Sequence, residues 1–502
     1  MSNFLRAAVA AIVLSIACGG CVNQQPANVA NSNPSSAPAT PSPTVQTVKT
    51  SAADESSMPV TLPVLDAFFA DETFQADLKS RLQLTDEQIG RLRTMAREET
   101  SKLRETDSDD YNGSTASARA HAAEQINAII GQEKAQQLSA LLRQRWSGGE
   151  EAASGAGPND SGNAQAHTGG GGKLNVVPSD TRIVVNAPAY RMDVFEGGQL
   201  VKSYKVGIGY PEFPLPTGQR KAAQIIFNPT WTAPDEPWVE TSNKVKPGQK
   251  VEAGSKLNPL GPIKIPIGLP SLIHGGKSPA RLGTFASHGC VGLTTPQVQD
   301  FARVLARLSG TNISEEQMSE YAKKPEETKD VKLSRPVVVE LRYETIVVED
   351  GKLHIYRDVY DRDTNTEENL RAVLATYGTT LEQLTEQERT QVLNALKEMS
   401  RDASGRSDQP GNGAHANAST APQGNASNAS NRNANGSSAT KNENKKGEAA
   451  ASGQVTRNVK GKKEIVIEIA ALKGKGYPAP VELDTGNGAK KAAGAAPGGK
   501  RR

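Results

Sequence analysis

Apolar residues change their spacing several times along this chain, and each change marks a different kind of element. Between residues 60 and 146 they recur every three or four positions. Ile89, Leu92 and Ala96 form one stripe; Ile126, Ile129 and Ile130, then Leu138, Leu141 and Leu142, form another. That period places each set on one helix face. Thr85-Asp86-Glu87-Gln88 opens the first stripe as a capping box, with Gln three residues after Thr. Asp107-Ser108-Asp109-Asp110 and Asn112-Gly113 break the pattern as a turn. A small helical hairpin or bundle is expected over 58–147.

From residue 180 the period shortens to two. Tyr190, Met192 and Val194 alternate with Arg191 and Asp193, and Gly197-Gly198 then reads as a hairpin turn into a strand over 200–206. Further strands are expected over 225–227, 263–267, 337–341, 346–348 and 353–356, with Asp350-Gly351 joining the last two as a hairpin. One helix is expected over 296–308, after Thr294-Thr295. Residues 179–361 are therefore read as a mainly β domain with a hairpin extension. Leu370, Val373, Leu374, Leu381, Leu384, Leu393 and Leu396 return the chain to helix over 362–400. The class is α+β overall: a mainly β domain with helical flanking modules and disordered linkers.

Composition explains the gaps between these parts. Only 36% of the 502 residues are hydrophobic and 4% aromatic, which fits folded units diluted by polar sequence. Residues 22–57, 148–178 and 401–455, rich in Asn, Ser, Ala, Gly or Pro, read as tether, linker and disordered tract. Segment 456–502 holds an apolar island at 465–472, expected to be a strand, and a basic end at Lys490, Lys491, Lys500, Arg501 and Arg502. That end either lies against anionic polymers or solubilises the chain. A net charge of +3 gives no reason to expect a nucleic-acid partner.

The first 21 residues read as an export leader. Arg6 precedes an apolar run over 7–17 that is too short for a comfortable membrane span. Leu14-Ser15-Ile16-Ala17-Cys18 resembles a bacterial lipobox, which would make Cys18 the lipidated N-terminus of the mature protein. Cys21 is a second candidate, and an ordinary secretory signal is the alternative. Gly19 after Cys18, in place of Asp, points to the outer membrane and a periplasmic location.

Cys290 is the remaining cysteine, and an exported protein with one cysteine has no internal disulfide to form. The bland reading is a buried small hydrophobe. Its neighbours, Ser287-His288-Gly289-Cys290-Val291-Gly292, suit acyl transfer, which needs a thiolate, a proton carrier and oxyanion donors. On an extended strand His288 would share a face with Cys290. His274, sixteen residues upstream, could turn back beside the thiol, lower its pKa as a charged pair and carry its proton. Two histidines and one cysteine could also hold zinc, but Cys-x-x-Cys and His-Glu-x-x-His patterns are absent and no metal site is expected. A papain-like surrounding sequence is absent too.

Ile273-His274-Gly275 followed by Ser287-His288-Gly289-Cys290-Val291 resembles the signature of the L,D-transpeptidase (YkuD-type) catalytic domain. Pro214-Leu215-Pro216-Thr217-Gly218, Asn228-Pro229-Thr230-Trp231, and Gly261-Pro262 before an apolar run resemble its other elements. The resemblance spans 179–345 and implies a YkuD-like β-sandwich acting on peptidoglycan stem peptides. It implies Cys290 as nucleophile, with a thioester formed as the terminal D-alanine of a tetrapeptide stem leaves, and transfer to an amine to give a 3→3 cross-link. By the same likeness His274 is the proton donor and acceptor. Ser287, His288 and Gly289 position the substrate or, with the Cys290 N–H, hold the oxyanion. Thr217, Gly275 and Trp231 contact substrate, and no cofactor is needed. Gly292 departs from the family, many of whose members carry Arg or Asn there; Arg281 is a candidate replacement. Two alternatives stay open: the acyl group passes to a protein or to water, or the chain is a non-catalytic wall-binding lipoprotein. The sequence leaves the oligomeric state unknown.

Overall fold

Residues 58–102, 114–146, 174–233, 245–268, 271–401 and 458–486 are described by a computed structural model. The leader with Cys18 and Cys21, the tether, the linker over 148–173, the tract over 402–457 and the basic end lie outside the described residues. The helical stripes form α1 (Leu62–Phe68), α2 (Glu72–Ser80), α3 (Asp86–Lys102), α4 (Thr115–Ile130) and α5 (Gln132–Trp146). The capping box at Thr85 is made in both directions: Thr85 N–H donates to Gln88 Oε1, and Gln88 N–H donates to Thr85 Oγ1, each at 3.1 Å. Leu92, Ala96, Ile126, Leu138 and Leu142 are fully buried in one core, as their spacing requires. Each buried leucine contributes about 1.5–3 kcal/mol.

The period-two region forms a meander, β1 (Arg182–Asn186), β2 (Arg191–Glu196) and β3 (Gln199–Lys205). Gly197 and Gly198 turn it with φ of 55° and 83°, the left-handed pair a two-residue hairpin needs. Asp193 breaks the simple alternation. It is buried because Ser203 Oγ and Arg191 Nε donate to its carboxylate at 2.5 and 2.8 Å. The chain continues through β4 (Ile208–Gly209), β5 (Gly218–Phe227), β6 (Trp231–Thr232), β7 (Lys250–Val251), β8 (Ile263–Pro266), β9 (Leu272–Lys277), β10 (Phe285–Ser287), β11 (Val291–Thr294) and β12 (Lys329–Arg342).

Eight of these strands make one sheet in the order β11-β9-β8-β5-β12-β1-β2-β3. The β11/β9 and β12/β1 pairs are parallel and the others antiparallel. Helix α6 (Thr295–Leu308) covers the β8, β9 and β11 end. Thr294 caps it reciprocally with Gln297, and Val298, Phe301, Ala302 and Leu305 are its buried face. This pins the strand that follows Cys290 to the main core. A shorter helix, α7 (Glu315–Lys323), follows.

Beyond β12 the hairpin of β13 (Ile346–Glu349) and β14 (Lys352–Tyr356) forms at Asp350 and Gly351, with φ of 47° and 74°. After α8 (Glu367–Thr376) and α9 (Glu386–Met399), the apolar island forms β15 (Glu464–Glu468), antiparallel to β14. Val348, Leu353, Ile355, Leu370, Leu374, Val392, Ile467 and Leu472 share one core. Composition reads the hairpin, the helical segment and the tail island as separate parts. They close one hydrophobic centre together, since each alone exposes an apolar face. Arg191 ties this unit to the main sheet by a buried 2.6 Å ion pair with Glu349. No helix among the described residues is long and apolar enough to cross a membrane.

Candidate active site

Strand pairing brings the His274 and Cys290 motifs to one edge of the sheet. Parallel neighbours β9 and β11 match Ile273 with Val291 and His274 with Gly292. Paired residues share a face, and so do residues two apart on one strand. Cys290 stands just before β11 begins; the Leu272 backbone amide meets its thiol, and the charge of Lys277 acts on both Cys290 and His274. Fifteen residues lie between His274 and Cys290 along the chain and close this parallel pair.

His288 does not share that arrangement. β10 ends at Ser287 and β11 begins at Val291, and Gly289 between them has φ +86°. This left-handed bend, open to glycine without steric cost, removes the extended geometry expected for 288–290. The His288 ring instead lies edge-on to Tyr210 and Phe213, at centroid distances of 5.1 and 4.7 Å. Ser271 Oγ donates to Gly289 O at 2.8 Å and holds the bend from the other side. Ser287 Oγ donates to Cys290 O at 2.6 Å and accepts from Cys290 N–H at 3.0 Å. The Cys290 N–H expected as an oxyanion donor is thus engaged by Ser287.

The protonation states also depart from expectation. His274 is buried, and its Nδ1 lies 2.8 Å from Gly275 O. Burial, and then the nearby charge of Lys277, push its pKa down to about 3, against the pull of the Gly275 and Leu260 carbonyls. Burial pushes the Cys290 thiol up, while the Leu272 backbone amide and the Lys277 charge draw it down. The side chain is desolvated although the residue keeps partial exposure. Both shifts favour the uncharged forms, a thiol and a neutral imidazole.

Other sequence candidates take different places. Gly275 faces inward: a Cβ there would lie 2.7 Å from Val298 and 3.3 Å from Pro262. Its contact with the site is the carbonyl beside His274. Thr217 precedes β5 and is half-buried. Trp231 lies in the β6/β7 ribbon, paired with Val251, and not on the β9/β11 edge. Asn228, of the Asn-Pro-x-Trp element, is a clasp. Its Nδ2 donates to the carbonyls of Tyr321, Lys324 and Glu327 at 2.7, 3.0 and 3.1 Å. Arg281 donates to the Tyr210 hydroxyl at 3.0 Å, and the side chain lying against Gly292 is that of Lys277. Sequence reasoning missed Lys277, Ser271, Tyr210 and Phe213. Lys277 alone had a signal, as a cation three residues after His274.

The helical module docks on the same wall. Thr61 Oγ1 donates to Glu212 O at 2.6 Å and Thr115 Oγ1 to Pro211 O at 2.8 Å, just before Phe213. Asp361 accepts from Ser114 Oγ at 2.8 Å and Thr115 N–H at 2.9 Å. Arg220 donates to Trp146 O, and burial pushes its guanidinium down to about 10. Among the described residues no group of three or more His, Cys, Asp or Glu is placed to hold a metal ion.

A cysteine just before β11 and an imidazole on β9 thus stand at the edge of this sheet. Residues 180–339 match the family model of the L,D-transpeptidase catalytic domain, YkuD. Over that segment the chain is similar to the YkuD-type L,D-transpeptidase catalytic domain, in a mainly β, helix-flanked setting. Among solved structures, the Ldtfm–avibactam carbamoyl enzyme is 16% identical, matched over 33% of this chain and 49% of its own, with a TM-score of 0.20. The chain spans about half the length of that structure. The catalytic domain of the E. faecium L,D-transpeptidase is 16% identical over 32% of this chain and 98% of its own, with a TM-score of 0.21. An L,D-transpeptidase from Mycobacterium smegmatis is 15% identical over 32% and 58%, with a TM-score of 0.19. Comparison with curated proteins gives no match.

Proposed function

We propose that this chain is an exported peptidoglycan L,D-transpeptidase with Cys290 as its nucleophile. The observation that supports this reading is the pairing of β9, which carries His274, with β11, which follows directly on Cys290, within the segment that matches the family. His274 donates Nδ1–H to Gly275 O, which leaves Nε2 as the proton acceptor. The Cys290 S–H proton passes to His274 as sulfur attacks the carbonyl at the L-centre of the diamino acid in a tetrapeptide stem. The S–C bond forms, the C–N bond to terminal D-alanine breaks, and His274 returns its proton to the leaving amine. The Gly289 N–H is the oxyanion donor this loop supplies while Ser287 holds the Cys290 N–H. An amine from a neighbouring stem then attacks the thioester, giving a 3→3 cross-link. No step calls for a metal or cofactor. The leader-like N-terminus and the lipobox-like sequence at Cys18 support a periplasmic enzyme tethered to the outer membrane by lipid.

Intact-mass analysis of the purified protein with tetrapeptide muropeptides tests this. A thioester adduct and 3→3 dimers are expected from the wild type and neither from Cys290→Ala. Equal product from Cys290→Ala, or no adduct on the wild type, would refute it. An absent carbapenem adduct on Cys290 would favour a non-catalytic wall-binding role. A thioester that yields only hydrolysed or protein-linked product would move the reading to another acceptor.

A further inference from the structure

Gly292 sits directly across from His274 in the sheet, and the space above it is filled. A Cβ at residue 292 would lie 2.8 Å from Lys277 Cγ, 3.0 Å from Cε and 3.4 Å from Cδ. The lysine stem therefore runs across the bare backbone of Gly292 in contact with it. The register explains how it gets there. Pairing shifts between Gly292 and Thr294, so that Lys277 pairs with Thr294 at the end of β9 and its side chain folds back over the strand. Lys277 is half-buried, with its stem packed along Gly292. It is also the charged group acting on both His274 and Cys290. Arg281, the neighbouring cation, is turned onto the Tyr210 hydroxyl.

We propose that Lys277, seated over Gly292, is the anion-binding residue of this site and recognises a carboxylate of the acyl donor next to the carbonyl that Cys290 attacks. The proposal rests on Cys290 being the nucleophile. Gly292 and Lys277 act as a pair: the missing side chain at one position makes room for the cation of the other. Two carboxylates of a tetrapeptide stem have this chemistry, that of the leaving D-alanine and that of the diamino acid's D-centre.

The first test needs no transpeptidation. Cys290 in the full chain is alkylated with iodoacetate, which is anionic, and with iodoacetamide, which is neutral. Lys277→Met keeps the stem over Gly292 and removes the charge. The iodoacetate-to-iodoacetamide rate ratio is expected to fall about fivefold in Lys277→Met, the scale of one close charge pair in water, and to recover in Lys277→Arg. An unchanged ratio in a folded Lys277→Met protein overturns the proposal. The second test uses tetrapeptide donors amidated at the terminal D-alanine or at the diamino-acid D-centre. The recognised carboxylate is the one whose amidation raises KM in the wild type but adds nothing in Lys277→Met. If neither amidation shows this pattern, donor recognition by Lys277 is wrong. A changed alkylation ratio with no thioester from any donor supports the anion site and overturns the transpeptidase reading instead.

Discussion

Ser287 holds Cys290 at both ends of its backbone, donating to the carbonyl at 2.6 Å and accepting from the N–H at 3.0 Å. One buried hydroxyl thus closes the bend that carries the thiol. Ser287→Ala removes both bonds and leaves the Cys290 carbonyl and N–H in a desolvated site, at a cost of about 1–3 kcal/mol. A lower Tm and a slower wild-type-style acylation of Cys290 are expected together. Calorimetry and a mass time course check this; a variant unchanged in both would show that Ser287 does not hold the loop.

The thiol's environment makes a prediction about pH. Thiolate, not thiol, is alkylated. Burial holds the Cys290 thiol above its ordinary value of 9.0, so at pH 9.0, where an ordinary thiol is half ionised and reacts at half its plateau rate, the iodoacetamide rate should lie below half of its plateau. Removing the Lys277 charge, which favours the thiolate, should move the plateau higher still. A plateau well below pH 9.0 in the free enzyme would mean a thiolate–imidazolium ground state.

Buried His274 links stability to pH. Its folded pKa of about 3 lies below the ordinary 6.5, so the unfolded chain binds the proton more readily. The stability from the neutral imidazole is complete above pH 6.5 and is lost as pH falls from 6.5 toward 3. His274→Gln should show a shallower fall of Tm across this acid range than the wild type. Parallel curves for the two proteins would contradict the neutral, buried assignment.

Thr61 and Thr115 fasten the helical module to the carbonyls of Glu212 and Pro211, beside the Phe213 ring that packs on His288. Replacing both by Val keeps shape and β-branching but removes the donors. A loss of about 1–3 kcal/mol is expected at the interface. Hydrogen exchange should rise at 210–216, and Cys290 acylation should slow. Unchanged exchange at that loop would mean the module docks without steadying the site.

Much of this molecule is legible in its residue pattern. The helical stripes, the glycine-pair hairpin, the capping box at Thr85, the helix after Thr294-Thr295 and a strand at the start of the 465–472 island follow from spacing and turn chemistry, which act over a few residues. Cys290 and His274 stand out as candidates in the sequence because the motifs surrounding them are local. What spacing could not show is which strands adjoin. Parallel pairing of β9 with β11 sets which residues share a face, and it is a property of the whole sheet. For the same reason the hairpin, two helices and distant β15 separate by composition yet close one core.

The sequence by itself determined the element types, the nucleophile and proton-carrier candidates, and the family resemblance. Only the tertiary structure decided their environment. The bend at Gly289 turns His288 onto Tyr210 and Phe213, Ser287 occupies the Cys290 N–H, and burial keeps His274 neutral. It also assigned the space over Gly292 to Lys277. These outcomes depend on desolvation and close contact among groups distant along the chain, and no local pattern encodes either.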